Sequence, residues 1–285
     1  MSAVITGASG QLGRVVAGAV LERTDDVVLI TRDPSRLADL AARGADVRAG
    51  DFGDPPSLES AFAGAAKVLI ISTDQVGVRV PGHKAAIDAA AAAGARSIAY
   101  TSGINPSDSN PIVAAADHRA TEEHLRLTGT GWTMLRNSIY TEILLASAAA
   151  ALATGRHVVN QGAGRVSYVS RADCAAAAAA VLTSDGHDGK EYDITGPQAL
   201  GAHEVAALFA ELGSRSVEVV PVGDEAYAAG LVERAGMPEP VAWAYTTFGI
   251  GTRRGYSAVV STTVADLTGR QPASARDVLA GAGIG

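Results

Sequence analysis

Three glycines in Gly7-Ala8-Ser9-Gly10-Gln11-Leu12-Gly13, spaced G-x-x-G-x-x-G, separate a short apolar run, Ala3–Thr6, from a run at helical spacing, Gly13–Arg23. Gly7 lets the chain reverse, Gly10 lets backbone approach a pyrophosphate, and Gly13 lets the helix lie near the strand. The chemistry is anion binding at a helix N-terminus, where backbone N–H groups have no acceptor of their own. The second informative position follows the next apolar run, Val27–Ile30, which ends in Thr31-Arg32, with Arg36 a turn later. A site for NAD usually carries an acid there, bonded to the ribose hydroxyls. A guanidinium instead holds a 2′-phosphate through paired, charge-assisted hydrogen bonds. The ligand read from these residues is NADP(H), with an ordinary surface arginine as the alternative for Arg32.

The elements that position these residues alternate. Arg36–Arg43 reads as a helix and Asp46–Ala49 as a strand; Asp54-Pro55-Pro56-Ser57 reads as a helix start capped by Asp54 or Ser57. Lys67–Ser72, Ser97–Thr101 and Trp132–Leu135 read as strands, separated by helices over Val80–Ala93 and Pro111–Thr128. Continuous apolar strands between helices predict an α/β fold, a Rossmann-type doubly wound parallel sheet with ligands at the carboxyl ends of its strands. Residues 1–136 are the expected NADP-binding domain. From Asn137 the rhythm changes: a helix over Ile139–Leu152, strands at Val158-Val159, Val166–Val169, Glu191–Ile194 and Ser216–Val220, and helices over Ala202–Leu212, Asp224–Ala235 and Pro240–Phe248. Residues 137–285 are expected to form mainly a smaller α+β substrate lobe, with some segments returning to the main sheet.

Composition narrows the class. With 285 residues, 47% of them hydrophobic, the chain can bury a substantial core. A net charge of −7 argues against nucleic acid or an anionic membrane as the main partner. Cys174 is the one cysteine, which excludes an intramolecular disulfide, and its alanine-rich surroundings predict an inert buried thiol. No run suits a bilayer span or a signal peptide, so a cytoplasmic protein is expected. A small-molecule acceptor is the expected partner, and a homodimer stays open. His118, Glu122 and His124 share helical spacing but offer neither a third convergent ligand nor an H-E-x-x-H order, so no metal is expected.

TGASGQLG at Thr6–Gly13, Thr31-Arg32, AYTS at Ala99–Ser102, DHRATE at Asp117–Glu122, LRNSIYTE at Leu135–Glu142 and GHDGKEYDITG at Gly186–Gly196 together resemble the NmrA-like atypical short-chain dehydrogenase/reductases. The nearest branches are the flavin-free NAD(P)H:quinone oxidoreductases of type 2 and the NADPH-dependent triphenylmethane reductases. The resemblance implies that Ser9, Gln11 and Leu12 lie at the phosphates and that Asp51 and Phe52 border the adenine. It implies that Ser72 and Thr73 line the nicotinamide ribose, and that Asn137, Ile139 and Tyr140 face the nicotinamide and substrate. Ser102 would line the same cleft. Tyr140, Ile143, Trp243, Tyr245 and Phe248 are candidates for an aromatic and aliphatic substrate wall. Glu142 is a candidate acid to face a cationic substrate.

Many short-chain dehydrogenases move a proton with a Tyr-x-x-x-Lys pair, and none of the seven tyrosines here has lysine four residues later. By family position the pair falls on Ala114 and His118. Ketone reduction makes a strongly basic alkoxide that needs a positioned acid. A hydroquinone anion is delocalised and protonated by water, and a triarylmethane cation is simply neutralised by hydride. The expected function is therefore NADPH-dependent hydride transfer to a quinone, with a triarylmethane-type dye as one alternative and a non-catalytic NADP(H) sensor as another. Asn137, Tyr140 and His118 are the candidate catalytic residues. For His118 three roles stay open: bonding the nicotinamide ribose, supplying a proton, or sitting on a helix surface.

Overall fold

The computed structural model describes residues 2–284. The first half alternates β1 (Ala3–Ile5), α1 (Gln11–Leu21), β2 (Val27–Thr31), α2 (Ala38–Ala41), β3 (Asp46–Ala49), α3 (Pro55–Ala61), β4 (Lys67–Ile70), α4 (Val80–Ala92), β5 (Ser97–Gly103), α5 (Val113–Arg126) and β6 (Gly131–Asn137). The second half holds α6 (Ile143–Thr154), β7 (Arg156–Val159), β8 (Arg165–Val166), α7 (Arg171–Thr183), β9 (Lys190–Ile194), β10 (Leu200–Gly201), α8 (Ala202–Leu212) and β11 (Glu218–Pro221). It ends in α9 (Asp224–Ala235), α10 (Glu239–Arg253), α11 (Thr263–Thr268) and α12 (Ala275–Gly281).

Seven parallel strands form the main sheet in the order β3-β2-β1-β4-β5-β6-β9, so the chain reverses direction across the sheet between β1 and β4. All five residues of β2 are buried, as a strand covered on both faces requires. Side chains alternate between the two covers. Ala3 and Ile5 join α1 and α7 in one core, whereas Val4, Val28 and Ile30 join α3, α4 and α5 in the other. Small side chains suit α7 to this position: Ala175, Ala178 and Ala179 are buried in the core that holds Val16 and Val20 of α1. Cys174 lies buried there too, and burial pushes its thiol well above the usual range. A third core gathers Leu144, Tyr168, Val205, Phe209 and Leu279 beneath two small sheets, β7 with β11 and β8 with β10.

Several boundaries differ from the sequence expectation. Helix α1 begins at Gln11, two residues before Gly13, because Gly10 takes the extended cap conformation. The expected Arg36–Arg43 helix is a 3₁₀ turn, Pro34–Leu37, followed by one α turn. Asp54 caps α3 by position only; Ser57 Oγ instead binds the Asp51 N–H (2.9 Å) and the Asp54 carbonyl (2.7 Å). Ile139 and Tyr140 are not helical, since the Ile139 carbonyl and the Thr141 N–H pair with Val169. Helix α10 runs past Phe248 to Arg253. Its glycines serve close packing rather than termination: a Cβ at Gly249 would lie 1.8 Å from Asn160 Oδ1, and one at Gly251 would lie 2.4 Å from Ile112. Helices α11 and α12 were not expected, although Ser274 and Asp277 form a reciprocal capping box at the start of α12.

Candidate functional site

The carboxyl ends of β3, β2, β1, β4, β5 and β6 form one continuous edge, and the residues singled out from the sequence lie along it. Gly7, with φ at 59°, opens the turn after β1. A Cβ on Gly13 would stand 2.2 Å from the Gly7 carbonyl, so the turn closes only around glycine. The N–H groups of Gln11, Leu12 and Gly13 occupy the first turn of α1, where no helical carbonyl is in reach, and that turn carries no acid. Leu12 turns its side chain into the core and leaves only backbone for a ligand. Ser9 Oγ meets Thr31 Oγ1 at 2.8 Å, tying this turn to the end of β2. Arg32 follows, exposed, and among the described residues none is bonded to its side chain. Asp51 closes its own turn by accepting from the Gly53 N–H at 2.9 Å, and Phe52 stands edge-on to the His83 ring. These features fit a pyrophosphate at the helix start and a 2′-phosphate beside Arg32.

Past β4 the edge opens into a cavity of about 880 Å³. Ser72, Thr73, His118, Asn137, Ile139 and Tyr140 all line it, so the structure brings together every residue expected at the nicotinamide end. Ser102, at the end of β5, also lines it, and its buried Oγ has no partner in the protein. An unpaired buried hydroxyl is costly unless something binds it. Asn137, the last residue of β6, donates from Nδ2 to Tyr140 Oη at 3.2 Å, and burial pushes the Tyr140 phenol above its usual range. Apolar and aromatic side chains complete the lining, with Ile143, Tyr245 and Phe248 joined by Tyr168 and Tyr227. Trp243 is 45% exposed and faces away from the cavity, one residue out of register with the inward face of α10. Glu142 does not line it either, because its carboxylate accepts from the Arg171 N–H at 2.9 Å.

His118 is not on a helix surface but 8% exposed, between Tyr100 and Arg79. Arg79 Nη2 lies 3.1 Å from His118 Nε2, and a guanidinium only donates, so that nitrogen is the acceptor. The proton therefore sits on Nδ1, which donates to Tyr100 Oη at 2.9 Å. His83 repeats the pattern: Nε2 accepts from the Thr73 N–H at 3.1 Å, and Nδ1 donates to Thr121 Oγ1 at 3.2 Å. Burial and the Arg79 charge hold His118 well below its ordinary value and push His83 down to about 3. Arg79 was not anticipated. It is joined to Asp117 Oδ2 at 3.0 Å and to the Thr73 carbonyl at 2.7 Å, contacts that span 38 and 6 residues. Nor do His118, Glu122 and His124 converge: Glu122 accepts from Arg126 and Arg136, and His124 pairs with Asp88. Among the described residues no group of three could hold a metal ion, and no helix is long and apolar enough to cross a membrane.

The neutral histidines predict acid lability. His157 on the cavity wall is also pushed down by burial, to about 4. Below the ordinary histidine value of 6.5 an unfolded chain takes up protons that these buried rings refuse. Stability therefore holds above that pH and is lost as pH falls toward 4, by about 1.4 kcal/mol per pH unit for each ring. Denaturant midpoints between pH 7 and 4 measure this, and a flat series would mean that the rings titrate freely in the fold.

A family described as NAD(P)H-binding matches residues 7–185. Quinone oxidoreductase 2 of Escherichia coli is 38% identical over 93% of this chain and 93% of its own. The crystal structure of an NADPH-dependent quinone oxidoreductase of E. coli, complexed with NADPH, superposes with a TM-score of 0.93 at 36% identity, covering 98% of this chain and 99% of that one. Triphenylmethane reductase of Citrobacter sp., complexed with NADP(H), superposes with a TM-score of 0.92 at 33% identity, covering 99% and 100%.

Proposed function

The chain belongs to the NAD(P)H-binding family, and from that premise we propose that it is an NADPH-dependent reductase transferring hydride to a quinone. Bound NADPH supplies the hydride. The turn from Gly7 to Gly13 and Arg32 hold its phosphates, and Ser72, Thr73, Ser102 and Asn137 bound its nicotinamide end. The observation that carries the reading is the cavity itself, whose lining joins the polar Ser72, Thr73, Ser102 and Asn137 to the rings of Tyr140, Tyr168, Tyr245 and Phe248. A flat acceptor held there lies within one enclosure with the nicotinamide, so catalysis is chiefly proximity and orientation.

Two further observations favour a quinone. The Tyr-x-x-x-Lys positions hold Ala114 and a neutral, buried His118, so no side chain there is set to protonate an alkoxide. The acid that a cationic dye would call for is also missing from the deep wall, because Glu142 is taken by Arg171 and Asp74 lies at the exposed rim. NADPH oxidation at 340 nm, with benzoquinones, naphthoquinones and a cationic triarylmethane dye as acceptors and NADH in parallel, tests this. Quinone turnover with NADPH preference is expected, with the dye the poorer acceptor. Tight NADPH binding without turnover on any acceptor would replace the reductase by a cofactor sensor.

A further inference from the structure

We propose that Arg79 is the fixed positive charge of the acceptor site, stabilising the oxyanion that a quinone acquires on reduction; this rests on the reductase reading. Arg79 stands on the loop between β4 and α4 and lines the cavity beside Thr73 and His118, although it is only 7% exposed. Its countercharge, Asp117, does not border the cavity, so the ion pair turns its positive end toward the acceptor. Asp117 Oδ2 is held in place by the Gly77 N–H at 2.7 Å as well as by Arg79 Nε. The guanidinium is clamped by the Thr73 carbonyl on Nη1 and by His118 and the Ala114 carbonyl on Nη2. It is therefore oriented before any substrate arrives, the condition under which a charge contributes most to a transition state.

The chemistry calls for such a charge. The quinone takes up a hydride from the nicotinamide, which is thereby oxidised, and becomes the hydroquinone monoanion. One proton from water at the cavity mouth then gives the hydroquinone. The new negative charge develops in an enclosure whose lining carboxylate, Asp74, is exposed at the rim and screened by solvent. A loop on the α4 side thus supplies the cation that a Tyr-x-x-x-Lys pair would place on α5.

The test is single-turnover reduction of substituted 1,4-benzoquinones by the NADPH-loaded protein, comparing wild type with Arg79→Met, Arg79→Lys and the double variant Arg79→Met/Asp117→Asn. The double variant removes the carboxylate that the single one would leave buried and unpaired. Loss of the guanidinium should slow electron-rich quinones by roughly 100-fold. Electron-poor quinones, which stabilise the anion themselves, should lose less, so the plot of log rate against quinone potential steepens. Lysine should recover most of the rate. A second readout needs no turnover: binding of a nitrophenol to the NADP⁺-loaded protein, as phenol at low pH and as phenolate at higher pH. Wild type should prefer the phenolate and Arg79→Met should lose that preference. An equal loss of rate for every quinone, with the phenolate preference intact, would reduce Arg79 to a structural residue. If wild type binds NADPH and reduces no quinone, the reductase reading fails, and the phenolate preference still decides what Arg79 does.

Discussion

Replacing Arg32 with glutamate is expected to weaken NADPH binding by roughly 100-fold or more while changing NADH binding by only a few-fold, because paired charge-assisted bonds to a 2′-phosphate give way to repulsion. Arg32 sits just beyond β2, exposed and without a partner among the described residues, so its loss orphans none of their groups. Surface changes of this kind leave folding within about 0.5 kcal/mol, so a change in affinity reports on the ligand and not on the fold. Fluorescence titration of both cofactors against wild type and Arg32→Glu makes the comparison. Equal loss for NADPH and NADH would sink the assignment of the 2′-phosphate to Arg32.

The largest effect on stability is expected at Asp117. Asp117→Leu leaves the Arg79 guanidinium buried without its counterion, and breaking a buried pair from one side costs about 3–5 kcal/mol. For a chain of this size that lowers the thermal midpoint by roughly 5–10 °C. Arg14 and Asp39 make an ion pair on the surface, and its removal should cost less than about 1 kcal/mol. Thermal melts of Asp117→Leu and Arg14→Ala set the two side by side. A melt of Asp117→Leu within a degree or two of wild type would mean that the contacts of Arg79 to the Thr73 and Ala114 carbonyls, not the charge pair, hold this segment.

The nucleotide edge was legible because it is written locally. Three glycines at fixed spacing, an apolar run before them and a helical run after them specify a turn whose geometry needs no distant residue. The same holds for Val27–Thr31, where unbroken burial gives an unbroken apolar run. The acceptor side was only half legible. Tyr140, Ile143, Tyr245 and Phe248 reach the wall, but Trp243 does not, since apolar character alone does not say which face of a helix turns inward. Arg79 gave no local sign: its burial depends on Asp117, which lies 38 residues away on α5. His118 was ambiguous for the same reason, as its tautomer is set by Arg79 on one side and Tyr100 on the other. Gly249 and Gly251 looked like the end of a helix, and only the approach of Asn160 and Ile112 explains why α10 continues through them.

The cavity draws part of its apolar wall from a stretch of chain apart from the rest. Ser72, Thr73, His118 and Asn137 fall within the family match at 7–185, whereas Tyr227 and Val241, Tyr245 and Phe248 come from α9 and α10, well beyond it. Those two helices pack on each other, and the Arg253–Asp224 pair at 2.7 Å ties the end of one to the start of the other. Substitutions in this one helical hairpin can therefore reshape part of the acceptor wall without touching the residues proposed to hold the coenzyme.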